Sequence, residues 1–147
     1  SFFKIIGSQA NKTRFLESIK KISKMTYISN RNINKKTKNY LVKLASSNKK
    51  INIIHTQFKP DEKFVNLQEI TNLYNRTNKK PAFGLHCKNK NVVFLSTFKK
   101  PESIFFYIKD NKKVNYPDDE WAVKLNDVDK FLSDTKFFMK YIDLINN

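Results

Sequence analysis

The residues whose types could do chemistry are two histidines, His55 and His86, and three acid-x-lysine triplets. A metal-free ribonuclease needs a general base, a general acid and a cation beside the reacting phosphate. His55 and His86 are the alternative catalytic pair on this reading, with Lys88, Arg76 or Tyr107 beside them. Their phases disagree, however. His55 alternates in step with Ile51 and Ile53, an inward position, whereas His86 lies opposite Phe83, Leu85 and Cys87, an outward one. A metal-dependent nuclease instead carries an acid-x-Lys pair on a strand. The triplets are Asp61/Lys63, Asp110/Lys112 and Asp134/Lys136. About two are expected by chance in so lysine-rich a chain, so their number carries no signal. Only Asp110/Lys112 falls at the end of a predicted strand, with Glu102 upstream. The chain has two glycines, Gly7 and Gly84, which leaves no glycine-rich phosphate cradle. One cysteine and two histidines make no zinc site without carboxylates. No cofactor and no metal are therefore expected, and the weight of the sequence falls on binding rather than catalysis.

Charge is the stronger signal. The formal net charge is +16. Residues 1–60 hold fourteen Lys and Arg against one acid, Glu17, whereas residues 101–147 hold nine acids against seven bases. AT-rich coding would enrich lysine everywhere, so it does not account for this asymmetry. Segregated positive charge attracts a polyanion. The expected partner is a nucleic acid, DNA or RNA, held by Lys12, Arg14, Lys20, Lys21, Lys24, Arg31, Lys35, Lys36, Lys38 and Lys43. Lysine outnumbers arginine heavily, which predicts phosphate-backbone contact and salt-dependent binding. The alternatives are the small nuclease above and an interaction domain that meets an acidic protein. A larger protein assembly or a further domain is a second expected partner, because the chain opens on Ser and reads as a piece of a longer protein. Phe105, Phe106 and Tyr107, with Phe94 and Phe98, could stack bases on an open sheet face, although they are also natural core residues. Asp118, Asp119 and Glu120 read as a solvated loop.

The elements that would position these residues follow from periodicity. A short strand is expected over 2–6 and a helix over 12–25, with Asn11 as N-cap. A polar loop follows over 27–34, and a second basic helix over 35–47. A strand spans 51–58 and is closed by Pro60. Asn66 and Glu69 form a capping box for a helix over 67–77. Four short apolar runs, 82–87, 92–98, 103–109 and 121–125, read as an antiparallel meander, and Asn126 and Asp129 cap a last helix over 127–145. The predicted fold is α+β: an antiparallel sheet of about four to five strands, an N-terminal basic helical pair, one central helix, and a long C-terminal helix on one face. Residues 1–147 are read as one domain. No apolar run is long enough to span a bilayer and Cys87 has no partner for an intrachain disulfide, so the expected setting is cytoplasmic or nuclear, without a membrane.

Overall fold

The computed structural model describes residues 1–57, 61–110 and 118–145. Strands and helices alternate along the chain: β1 Phe2–Ile5, α1 Gly7–Ala10, α2 Thr13–Ile19, β2 Met25–Ser29, α3 Lys35–Ser47, β3 Ile51–Thr56, α4 Gln68–Thr77, β4 Ala82–Gly84, α5 Asn91–Thr97 and β5 Ile104–Phe105. Two short strands, β6 Ile108–Lys109 and β7 Val123–Lys124, precede the long α6 Val128–Ile145. The first five strands form one sheet in sequential order, and every neighbouring pair is parallel. The predicted antiparallel meander is thereby overturned, and with it the α+β class. Parallel neighbours need a crossover, and each of the four connections carries a helix.

Two misread segments account for the difference. The helix expected over 12–25 ends at Ile19, and residues 25–29 form a central strand that runs into what reads as the 27–34 loop. Thr26, Tyr27, Ile28 and Ser29 are all buried, because a parallel strand is covered on both faces. Residues 91–97 form the helix α5, although Val92, Val93 and Phe94 suggest a strand. A short apolar run is buried equally well in either geometry. Two predicted helix starts also change. Asn11 does not cap α2; its side chain donates to the Asn32 carbonyl at 2.9 Å and accepts from the Asn34 amide at 3.2 Å. The helix α4 has no side-chain cap at its first residue, so the Asn66–Glu69 box is not formed. Helices 35–47 and 67–77 and the last helix hold to within a residue, as does the start of the strand at 51. Phe58 and Pro60 lie outside the described residues.

Register divides the strands into two faces. Lys4, Tyr27 and Asn52 sit side by side on one face, followed by Ser29, Ile54 and Ala82, then Thr56, Gly84 and Phe105. The other face turns Ile28, Ile51 and Ile53 toward Leu16, Leu41, Leu44 and Leu73 of the helices. A second cluster packs Phe83, Leu85 and Cys87 against Val93 of α5 and Phe131 of α6. The sheet curls strongly. In a flat sheet, β1 and β5 would lie about 19 Å apart. Yet the rings of Phe2 and Phe105 meet at 5.8 Å between centroids, each edge-on to Tyr27 at 5.5 and 5.2 Å. The result is a half-barrel with helices outside and a concave inner face. Among the described residues, no helix is long and apolar enough to cross a membrane.

The second basic helix starts where local chemistry dictates. The Asn34 side chain accepts from the Thr37 amide at 2.8 Å and satisfies an otherwise orphaned donor of α3. Asn34→Ala is expected to cost about 1 kcal/mol, read from a chemical denaturation midpoint. An unchanged midpoint would show that the cap carries no weight.

Candidate functional site

Strand direction brings the carboxyl ends of β1 to β5 to one mouth, where loops rather than ladder bonds set the geometry. A cavity of about 210 Å³ opens there. Every strand of the sheet contributes to it: Lys4 from β1, Ser29 from β2, Ile54 and Thr56 from β3, Gly84 from β4 and Phe105 from β5. Arg31, His86, Tyr107 and Asp118 complete its polar wall from the following loops. The volume matches roughly seven water molecules at about 30 Å³ each, enough for one small polar molecule.

Both glycines of the chain line this cavity. Gly7 lies against the backbone of the β2–α3 loop: a Cβ there would stand 1.8 Å from the Arg31 carbonyl oxygen. Gly84 keeps the floor open, since a Cβ would stand 2.8 Å from Thr56 Oγ1. The floor is tied together across strands. Ser29 Oγ donates to Thr56 Oγ1 at 3.2 Å, and the Arg31 amide donates to Ser29 Oγ at 3.2 Å. The sequence does hold the signal that was missed. When a chain spends glycine only twice, both positions mark places where backbone must approach closely. Read only as the absence of a cradle, that scarcity conceals them.

The side chains of the mouth form one cluster. Arg31 donates through Nη1 to His86 Nδ1. A guanidinium has only donors, so His86 accepts at Nδ1 and the neutral ring keeps its proton on Nε2. Burial, then the charges of Arg31 and Lys4, push the His86 pKa down to about 4. The Arg31 guanidinium lies 5.8 Å from the Trp121 ring centroid, and the His86 ring lies 5.2 Å from the same ring. Lys4 Nζ sits 4.8 Å from the Tyr107 ring centroid and 5.4 Å from that of Phe105. Burial lowers the Lys4 pKa, partly offset by Asp118, and burial with Asp118 raises that of Tyr107. Two cations, Lys4 and Arg31, thus face one carboxylate, Asp118, across a half-buried cavity.

The two histidines do not meet. His55 is buried among the helices, donating from Nε2 to the Asn66 carbonyl at 2.8 Å and facing Asn30 Nδ2 across 3.4 Å at Nδ1. His86 lies on the opposite face, in the mouth. Their phases are therefore as the alternation implies, and the two-histidine ribonuclease falls with the separation. Asp110 follows β6, and Lys112 lies outside the described residues. Among the described residues, no group of three or more His, Cys, Asp and Glu is arranged to hold a metal ion.

The basic residues divide between the mouth, ion pairs and exposed helix surface. Arg31 turns into the mouth. Lys20 pairs with Glu17 at 2.7 Å and Lys38 with Glu69 at 2.6 Å. Lys12, Arg14, Lys21 and Lys24 surround α2, while Lys35, Lys36 and Lys43 are exposed on α3. These two helices are successive crossovers on the outside of the barrel wall, joined by the Tyr40 hydroxyl donating to Glu17.

No family model matches the sequence, and a search of curated proteins finds no match. Solved structures do match in fold. The chain is similar to the N-acetylneuraminic acid (sialic acid) synthetase of Leptospira borgpetersenii serovar Hardjo-bovis, determined in complex with citrate, with a TM-score of 0.80 and 16% identity. It is also similar to the spore coat polysaccharide biosynthesis protein SpsE of Bacillus subtilis, with a TM-score of 0.83 and 15% identity. The matches cover 96% and 97% of this chain but only 50% and 42% of those proteins, so the chain spans about half their length. This likeness replaces the nucleic-acid reading, and with it the nuclease and acidic-partner alternatives. The fold is shared with part of these two proteins.

Proposed function

We propose that this chain supplies the sugar-binding mouth of a parallel (βα) barrel that serves carbohydrate biosynthesis, with residues 1–147 acting as one domain. The observation that carries the reading is the single cavity to which all five strands of the sheet contribute. In barrels of this kind, ligand chemistry sits at the carboxyl ends of the strands. The lining suits a sugar. Ser8, Ser29, Thr56 and Tyr107 offer hydroxyls to a polyol, while Phe105 and Tyr107 offer aromatic faces to its C–H surface. Both similar structures are carbohydrate-biosynthesis proteins, a sialic acid synthetase and a spore coat polysaccharide protein.

Saturation-transfer NMR with a panel of neutral, amino and acidic monosaccharides tests this. Binding is expected, and Tyr107→Ala is expected to weaken it about tenfold, or ~1.4 kcal/mol, by removing both the ring face and the hydroxyl. Failure of every monosaccharide to bind at millimolar concentration would sink the reading.

A further inference from the structure

Arg31 occupies a position that its own hydrogen bonding does not justify. Its Nε is buried and has no acceptor, while Nη1 leans on a ring nitrogen of His86. The guanidinium plane rests over Trp121, whose ring is itself buried and whose Nε1 also lacks an acceptor. Two donors therefore stand without acceptors around one cavity-lining cation. A buried donor of this kind costs the folded state until an acceptor arrives. Imidazole is also a poor match for the guanidinium fork, because it offers one lone pair where the fork presents two parallel N–H groups.

We propose that Arg31, which rests on His86 and Trp121, is the specificity-determining side chain of this mouth, and that it turns to grip the carboxylate of a sugar acid. The inference rests on the sugar-binding reading and adds the charged group that the sugar carries. On binding, the carboxylate oxygens accept from Nε and Nη2, the parallel pair of N–H groups on one edge of the guanidinium, and His86 Nδ1 accepts from solvent or ligand in place of Nη1. A single negative charge fits the local balance. Lys4 and Arg31 face Asp118, which leaves one positive charge to neutralise, and a phosphate dianion would be repelled by Asp118. The loop that carries Arg31 is fixed at its backbone by Gly7 and Ser29, so the motion belongs to the side chain.

Trp121 is the only tryptophan, so its fluorescence reports the arm directly. Glucuronate, glucose and glucose 6-phosphate share one ring and differ in the group at one carbon. Each is titrated into the full chain by calorimetry and by tryptophan fluorescence. Glucuronate is expected to bind at least tenfold more tightly than either of the others and to change the Trp121 emission. Arg31→Lys keeps the charge but loses the fork, and is expected to lose most of that preference. Arg31→Met should lose both the preference and the emission change, with thermal melting confirming that it folds. Equal binding of glucose and glucuronate to the wild type overturns the carboxylate grip while leaving the sugar reading intact. Tighter binding of glucose 6-phosphate also overturns it, as does a preference that survives in Arg31→Met. Binding by none of the three overturns the grip, and the monosaccharide panel then decides separately whether the sugar reading falls too.

Discussion

Replacing Gly7 with Ala is expected to lower the stability of the protein by about 3 kcal/mol, with a fall in melting temperature of roughly 10 °C. The reason is space, not backbone angle, since no glycine here has a positive φ. The new methyl would stand 1.8 Å from the Arg31 carbonyl oxygen, 2.8 Å from its carbon and 2.9 Å from the Ser29 carbonyl oxygen. All three are backbone atoms, two in the β2–α3 connection and one at the end of β2, so no rotamer change relieves the clash. Either α1 lifts off the sheet or the Arg31 loop moves outward by more than an ångström. Both routes disturb the mouth, so ligand binding should fall together with stability. Gly84→Ala supplies the internal comparison. There the nearest atom is a side-chain oxygen, Thr56 Oγ1 at 2.8 Å, which can rotate at the cost of its bond to Ser29. It should cost about 1 kcal/mol while still reducing binding, because the methyl enters the cavity floor. Equal melting temperatures for Gly7→Ala and the wild type would refute the packing argument.

The same region shows how much the sequence discloses and where it stops. The helix over 35–47 is legible because Leu41, Leu44 and Ala45 recur on one face, and the structure adds its Asn34 cap. The strand from 51 is legible from its β-branched run. The strand over 25–29 is hidden. It lies between a Lys-rich turn and an Asn-rich loop, and two of its buried residues, Thr26 and Ser29, are polar. The Thr26 hydroxyl is satisfied locally by the Lys24 carbonyl, and that of Ser29 by Thr56, a partner that only the fold supplies. Losing that strand turns a βαβαβ series into two helices joined by a loop. The remaining apolar runs then have no crossover helices, and an antiparallel meander becomes the natural reading. Charge misleads for a related reason. The N-terminal lysines are clustered in sequence, yet α2 and α3 are crossover helices on the outside of a barrel wall, while Arg31 turns to its inside. The mouth is legible only in part. His86 and Tyr107 stand out by residue type and Gly7 and Gly84 by rarity, but only the curl of the sheet brings Lys4, Arg31 and Asp118 to them.

Acid should destabilise this protein well above the carboxylate range, and the two histidines give the sign. Both are neutral in the folded chain. Burial lowers the His55 pKa, with the Asn66 carbonyl opposing the shift, and burial with Arg31 and Lys4 brings that of His86 to about 4 from 6.5. In the unfolded chain both return to 6.5, so between these values the unfolded state binds more protons. Stability is then complete above pH 6.5 and falls as the pH drops toward 4. His86 is partly exposed, so solvent screening reduces its share to roughly 1–2 kcal/mol. His55 adds a loss of the same sign. Glu69 acts lower on the scale: burial raises its pKa, but bonds from Lys38 and Asn72 outweigh that and hold it below 4.5. Its contribution is lost only under more acid conditions. Denaturant midpoints measured from pH 7.5 to 4 should therefore decline through the histidine window. His86→Asn should flatten part of that decline, because asparagine can accept from Arg31 without titrating. If the wild-type midpoint stays level down to pH 4.5, the imidazole in the mouth is not held neutral, and the donor–acceptor sense of its bond with Arg31 is wrong.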